Sequence, residues 1–329
     1  MKGYHIAVVG ATGATGAELL RVLERRAFPV AGLRVIGSPR SAGKSVSFHG
    51  ESVPVEQLGE SSFRNIDLAF FCAGSEVSRH FVPVACQNDA IVIDKSSAFR
   101  MEPHVPLVVP EINADDLKRH RGVVANPNCT TIIMLMALHP LHRAFGVRRV
   151  FATSFQAVSG SGVRGVEELK RQSQTENPPP PSFYPHPIAF NLLPHVDSFL
   201  ENGYTKEESK MQDEARKIMH LPRLRVSATC VRVPVYRAHS VAVSAEFERE
   251  VSVPEAREIL AKAPGVELVD EPRANRYPTP LGVTGKNNCQ VGRLRLDCAL
   301  DNGLSFWVSG DQLLKGAALN AVQIAEALR

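Results

Sequence analysis

Between His5 and Arg26 the chain runs from a short β-branched stretch, His5 to Gly10 (HIAVVG), through glycines at Gly10, Gly13 and Gly16 into a helical segment, Ala17 to Arg26. A buried strand that stops at glycine and re-emerges as a helix is the opening βα step of a parallel sheet. Further buried-strand candidates follow at Leu33 to Ile36, Leu68 to Cys72, Ile91 to Asp94 and Gly122 to Ala125, separated by helical or turn-rich segments. That alternation predicts an α/β fold with a Rossmann-type doubly wound parallel sheet, which takes ligands at its C-terminal strand ends.

After Asn126 the pattern changes. Longer alternating strands are expected at Val150 to Phe155, Ser227 to Tyr236, Val241 to Glu250, Val291 to Asp297 and Leu304 to Val308, which points to a second, α+β domain. The proline-rich stretch Asn177 to Pro187 lacks backbone donors and favours an extended path. It reads either as an arm reaching a partner subunit or as a plain linker. Gln312 to Leu328 reads as an amphipathic helix with one apolar stripe. The 329 residues, 44% of them hydrophobic, suffice for two cores.

The formal charge of +4 is small, and the basic residues are scattered, which gives no support for nucleic-acid binding. The longest apolar run, Thr130 to Leu138, falls far short of the roughly 20 residues that cross a bilayer, and the first residues enter a strand pattern directly. A cytoplasmic protein is therefore expected. The six cysteines, at 72, 86, 129, 230, 289 and 298, form no CxxC pair and no metal-ligand spacing, so no metal is expected. Five read as buried thiols, and Cys129 stands apart.

The turn Gly10, Ala11, Thr12, Gly13, Ala14, Thr15, Gly16 is placed where a dinucleotide pyrophosphate meets backbone N–H groups and the positive end of a helix. The spacing is GxxGxxG rather than GxGxxG, and a purely structural turn is the competing reading. The second strand ends in Gly37-Ser-Pro-Arg40-Ser41, without the acidic residue that binds NAD ribose hydroxyls. A guanidinium there matches a 2′-phosphate, so NADP is expected over NAD; otherwise Arg40 is a solvated loop residue.

Cys129, in Asn126-Pro-Asn128-Cys129-Thr130-Thr131, precedes an apolar helix-like run. A helix N-terminus stabilises a thiolate, as a sulfur nucleophile requires, but a buried cysteine in a capping position fits equally. The motif ANPNCTT resembles the nucleophile motif of the aspartate-semialdehyde dehydrogenase family. Other segments match in order: GATGATG, RSAGK (40 to 44), DKSSAFRMEPHVPLVVPEIN (94 to 113), QAVSGSGVRG (156 to 165), AFNLLPHVDSF (189 to 199), GYTKEESKM (203 to 211), TCVRVPVYRAHS (229 to 240), VGRLR (291 to 295) and KGAALNAVQIAE (315 to 326). The resemblance covers nearly the whole chain.

It implies NADP-dependent interconversion of aspartate-4-semialdehyde plus phosphate with 4-aspartyl phosphate through a Cys129 thioester. The pathway is that of lysine, threonine, methionine and diaminopimelate. It further implies His239 as the base, for which a pKa near the operating pH is expected, and Gln156 as the amide orienting the intermediate. Arg232 would hold the substrate carboxylate and Glu207 its amine. Lys210, with Arg100 and Asn128, would bind phosphate. Ser159, Gly160 and Gln312 would lie at the nicotinamide end, beside Gly10 to Gly16, Arg40 and Ser41 for the rest of the cofactor. Without the resemblance, His239 reads as a strand-end histidine, and Glu207 with Lys210 as an exposed ion pair on a helix.

The implied domains are residues 1–126, completed by a C-terminal helix at 312–329, for NADP, and 127–311 for catalysis and dimerisation, in a homodimer or homotetramer. Lys95 and Ala238 depart from the family's usual asparagine and glycine. Two alternatives remain. N-acetyl-γ-glutamyl-phosphate reductase shares the thioester chemistry, but its acylated substrate would give Glu207 no ammonium to bind. A non-catalytic paralogue would be expected to lose Cys129, Gln156, Arg232 or His239, all present here.

Overall fold

The structure is a computed structural model that describes residues 3–329. It divides into two compact units, one running to Pro127 and taking up Ala317–Arg329, the other Asn128–Gly316. Gln312 to Gly316, which the sequence pattern groups with the terminal helix, lie in the second unit.

The first unit holds strands β1 (Tyr4–Val9), β2 (Val30–Gly37), β3 (Ser45–Phe48), β4 (Glu51–Gln57), β5 (Leu68–Phe71), β6 (Ile91–Asp94) and β7 (Val123–Ala125) in the order β3-β4-β2-β1-β5-β6-β7. Every pairing is parallel except β3 with β4. Ile6 to Val9 are buried, as a central strand covered on both faces requires. Because β2 and β5 flank β1, the chain reverses direction across the sheet at the end of β1, where Gly10 lies.

Helices α1 (Ala14–Arg25), α2 (Ser75–Gln87) and the short α3 (Pro110–Asn113) belong to this unit. The β3–β4 hairpin has no counterpart in the sequence reading. Its strands are polar, but His49 (φ 49°) and Gly50 (φ 79°) make a two-residue turn with both central residues left-handed, the geometry that matches strand twist.

The second unit carries β8 (Val147–Gln156), β9 (Arg225–Arg232), β10 (His239–Phe247), β11 (Val266–Leu268), β12 (Cys289–Leu296) and β13 (Gly303–Gly310), in the order β11-β12-β13-β10-β8-β9. The β8–β9 and β11–β12 pairs are parallel and the others antiparallel. Helices α4 (Cys129–Phe145), α6 (Lys206–Ile218) and α7 (Val253–Lys262) pack on this sheet, and α5 (Val163–Gln172) and α8 (Pro280–Val283) complete the unit. Along β8, Val150, Ala152, Ser154 and Gln156 are buried while Phe151 on the opposite face is 47% exposed. That is the alternation of a sheet covered on one side.

Three expectations are corrected. The strand expected over Ser227 to Tyr236 ends at Arg232, where Leu193 exchanges backbone hydrogen bonds with Arg232. The terminal segment is a π-helical turn at Leu314–Ala318 followed by α9 (Leu319–Ala327), whose side chains are buried on most sides rather than along one stripe. Helices α1 and α3 and strand β6 all pack against it, and Arg26 forks onto Glu326 at 2.7 and 2.6 Å. Finally, none of the six cysteines forms a disulfide, but Cys298 is exposed and only Cys230 and Cys289 are fully buried.

The proline-rich stretch folds back on its own unit. Ser182 donates from its backbone N–H and its hydroxyl to Glu168, both at 2.8 Å, and Arg171 donates to the Pro180 carbonyl.

Candidate active site

In the second unit, strand register gathers the candidate residues at one end of the sheet. Gln156 ends β8 beside Arg232, which ends the parallel β9, and His239 opens the antiparallel β10 opposite Gly310 of β13. Cys129 is the first residue of α4, with Asn128 as N-cap. The Asn128 Oδ1 accepts the N–H groups of Thr130 and Thr131 at 2.9 and 3.0 Å, satisfying two orphan donors of the helix.

Asn128 is held by α6 as well. Its amide donates to Glu207 Oε1 at 2.8 Å, and its backbone N–H donates to Glu214 Oε2 at 2.6 Å. Glu207 also pairs with Lys210 Nζ at 3.1 Å and receives a long hydrogen bond from Gln156 Nε2 at 3.4 Å. The exposed ion pair that the helix suggests apart from the resemblance is not what forms: this face is turned inward, with Glu207 6% exposed. Burial pulls the Lys210 ammonium down, but Glu207 and Asp197 outweigh it and raise its pKa; Asp197 Oδ2 lies at 2.7 Å.

Around Ala157 a second cluster forms. Arg232 Nη1 donates to the Ala157 carbonyl at 2.8 Å, and the Ala157 N–H donates to His239 Nδ1 at 3.0 Å. Gly160 closes over both: a Cβ there would lie 3.0 Å from Arg232 Nη1 and 3.1 Å from His239 Nε2. Gln312 bridges the neighbouring turn, donating to Ser159 Oγ at 2.5 Å and accepting the Ala238 N–H at 2.7 Å.

His239 is fully buried, and burial first, then the Arg232 charge, pushes its pKa down to about 3. A base with a pKa near neutrality, as expected from sequence, is therefore not what this environment makes. Since Nδ1 accepts from Ala157, the proton of the neutral ring belongs on Nε2, the one buried side-chain polar atom among the described residues without a hydrogen-bond partner. His239 is a neutral donor poised at Nε2.

Sequence reasoning missed several members of this cluster. Glu214 lies seven residues beyond Glu207 on the same face of α6, a spacing that could have marked it. Asp197 reaches Lys210 only through the tertiary fold. Asp311, fully buried, pairs with Arg237 at 2.7 Å and accepts the N–H groups of Gly285, Leu313 and Leu314, fastening the approach to His239 to the π-helical turn.

In the first unit, Gly10 has φ 81°, and a Cβ there would lie 2.7 Å from the Cys72 carbonyl oxygen. Gly16 packs so tightly on Gly10 and Ala11 that no side chain fits, bringing α1 close to the strand end. Gly13, the N-cap of α1, has no such crowding and supplies no side-chain cap, and the first turn of α1 has no acidic residue. This leaves an anion-compatible helix N-terminus, so the turn fits a dinucleotide pyrophosphate. Thr12 Oγ1 and Ser41 Oγ lie 3.1 Å apart, tying the glycine turn to the loop that carries the exposed Arg40. Arg100 is buried in this unit and donates to the carbonyls of Asn126 at 3.0 Å and Lys95 at 2.8 Å. No group of three or more metal-ligating side chains occurs among the described residues, and none of their helices is long and apolar enough to cross a membrane.

A glycine-turn α/β unit joined in sequence to a mixed-sheet unit with a helix-terminal cysteine is the build of a two-domain semialdehyde dehydrogenase. The family descriptions agree: residues 5–120 match the semialdehyde dehydrogenase NAD binding domain and residues 138–315 the semialdehyde dehydrogenase dimerisation domain. The chain is 49% identical to aspartate-semialdehyde dehydrogenase of Aquifex aeolicus, over 99% of this chain and 98% of that one. It is 46% identical to that of Bacillus subtilis, over 100% and 98%. A crystal structure of Vibrio cholerae aspartate semialdehyde dehydrogenase II complexed with ASA superposes with a TM-score of 0.95 at 39% identity, covering 100% of this chain and 98% of that one. The chain belongs to the aspartate-semialdehyde dehydrogenase family, oxidoreductases of amino-acid biosynthesis.

Proposed function

We propose that the chain interconverts L-aspartate-4-semialdehyde plus phosphate with L-4-aspartyl phosphate, using NADP and a thioester on Cys129. The observation that carries this reading is the setting of Cys129. It opens α4 behind an N-cap locked to Glu207, on the unit that also holds Gln156, Arg232 and His239 together. The helix N-terminus favours the thiolate, which adds to the aldehyde carbon to form a thiohemiacetal oxyanion; loss of the aldehyde hydrogen as hydride, with the C–H bond breaking as the C=O bond re-forms, leaves the thioester. A nicotinamide dinucleotide, when bound, supplies the hydride acceptor. Phosphate oxygen then attacks the acyl carbon of the Cys129 thioester, releasing the thiolate and the acyl phosphate.

Arg232 is the partner for the substrate carboxylate, where a planar fork fixes orientation. Glu207 suits the ammonium, and Lys210, with Arg100 and Asn128, the phosphate. His239 donates from Nε2 to the oxygen of the tetrahedral adduct, and Gln156 orients the adduct through its amide. To accept a proton at Nε2 the ring would have to move its own proton to Nδ1 and give up the Ala157 bond. A carboxylate bound on Arg232 offsets the charge that depresses His239, so substrate binding raises the pKa of the ring.

Gly10, Thr12, Gly13, Ala14, Thr15 and Gly16 are assigned to the pyrophosphate, Arg40 and Ser41 to the 2′-phosphate that distinguishes NADP, and Ser159, Gly160 and Gln312 to the nicotinamide end. The half-exposed aromatic face of the second sheet, with Phe151 and the Phe155–Trp307 pair at 5.2 Å, suits association with a second copy, as a homodimer or a pair of dimers. Six cysteines without a disulfide suit a cytoplasmic enzyme.

The test is phosphate-dependent NADPH formation from aspartate semialdehyde by the wild type, Cys129→Ala and Cys129→Ser. Loss of at least about 10³-fold in both variants is expected. Full activity of the alanine variant would sink the thioester.

A further inference from the structure

Glu214 has no part in the roles above, yet it is 1% exposed. A carboxylate rarely sits that deep unless charge-assisted hydrogen bonds compensate its desolvation. It lies seven residues after Glu207 and four after Lys210 on α6, so all three project from one face of the helix.

Its Oε2 accepts the backbone N–H of Asn128 at 2.6 Å. That N–H belongs to the N-cap of α4, outside the bonding of the helix itself, and Asn128 is only 6% exposed. An ionised carboxylate is the strongest acceptor a protein can offer such a donor, and unlike an amide it brings no donor of its own to compete. One helix therefore holds Asn128 twice, Glu207 by the side-chain amide and Glu214 by the main chain. Gly316 also packs closely against Cys129. A Cβ at 316 would lie 2.9 Å from Cys129 Cβ and 3.3 Å from its Cα. The peptide entering Cys129 is held by a carboxylate, and the residue itself is closely packed by Gly316.

We propose that Glu214 is a positioning residue for the nucleophile: through the Asn128 N–H it fixes the peptide that carries Cys129 and so the direction in which Sγ is presented. This rests on Cys129 being the nucleophile. The contacts proposed for aspartate semialdehyde at Arg232 and Glu207 do not involve Glu214, so its loss acts on the reacting geometry and leaves recognition of that substrate in place.

Glu214→Gln keeps an oxygen acceptor at the same reach without the charge, and Glu214→Leu removes the acceptor. Steady-state kinetics of both are to be read with the rate and pH midpoint of Cys129 alkylation by iodoacetamide, followed by peptide mass. For Glu214→Leu a fall in kcat of about 30- to 100-fold is expected, with the glutamine variant in between. The KM for aspartate semialdehyde stays within about twofold, and alkylation changes in step with kcat.

Wild-type kcat and alkylation in both variants would overturn the proposal. So would a loss of kcat that follows the folded fraction while alkylation per folded molecule stays unchanged, since that is a merely structural role. If the leucine variant does not fold, the glutamine variant decides: a drop of about threefold or more with an altered alkylation profile supports the role, and an unaltered profile overturns it. Alkylation needs no turnover, so an active Cys129→Ala enzyme would refute the thioester while leaving the dependence of Cys129 reactivity on Glu214 measured separately.

Discussion

Acidification from pH 7.5 to pH 5 should destabilise this protein by a measurable amount assignable to His239. The ring is fully buried, and its pKa in the folded chain is about 3 against an ordinary 6.5, with burial the larger cause and Arg232 the second. In that window the unfolded chain binds a proton at this position and the folded chain does not, so stability is full above 6.5 and falls as pH drops toward 3.

The slope is about 1.4 kcal/mol per pH unit well below 6.5. Over the stated interval, with the unfolded ring only partly protonated near its pKa, the loss comes to about 2 kcal/mol. The comparison is urea unfolding at both pH values for the wild type and His239→Asn, whose amide oxygen can take the Ala157 N–H in place of Nδ1. His139, lowered to about 4 by burial and then by His142 and Arg143, adds its own slope, but it is present in both proteins and cancels in the difference. The wild type should lose about 2 kcal/mol more than the variant. Equal losses would refute the assignment of a buried neutral imidazole.

Arg40→Ala should lower kcat/KM for NADP by about 10- to 100-fold, the value of a charge-assisted hydrogen bond, and leave the figure for NAD nearly unchanged; equal effects on the two cofactors would return Arg40 to the solvated loop. Arg232→Lys keeps the charge but not the fork, and should weaken use of aspartate semialdehyde by about 1.5–3 kcal/mol in kcat/KM, whereas unchanged kinetics would make Arg232 structural. Ala238 is fully buried at φ 74°, a left-handed conformation that costs a side chain about 1–2 kcal/mol, so Ala238→Gly should stabilise the protein after about 0.4–1 kcal/mol is lost to the freer unfolded chain. A lower urea midpoint for that variant would contradict the strain.

The departure at Ala238 shows how far the sequence could be read. That a side chain stands where glycine is usual was visible in the string, but only the backbone angle makes it a strained position. The terminal segment is similar. Its apolar content was plain, but the one-stripe reading failed because three neighbouring elements bury it on most sides. The β3–β4 hairpin escaped notice because its strands are polar and its turn, His49-Gly50, lacks the usual asparagine.

What the residues determined alone was local and covalent. The β-branched run into Gly10 dictates a strand that stops and turns, because glycine takes left-handed angles at the least steric cost. The apolar run after Cys129 marked a helix start at the cysteine, while the structure assigned the cap itself to Asn128. Periodicity separated a parallel sheet from a mixed one.

The tertiary structure decided everything that depends on environment. Electrostatics and hydrogen bonding depend on burial and distance, which sequence spacing does not carry between elements. His239 read as a base tuned near neutrality until packing placed it dry beside Arg232 with its Nδ1 taken by Ala157. Apart from the resemblance, Glu207 and Lys210 read as a solvated ion pair, and only the fold shows α6 turned inward with Glu207 holding Asn128. Glu214 was one more charge on a polar helix, and only the fold set it against the peptide that carries the thiol.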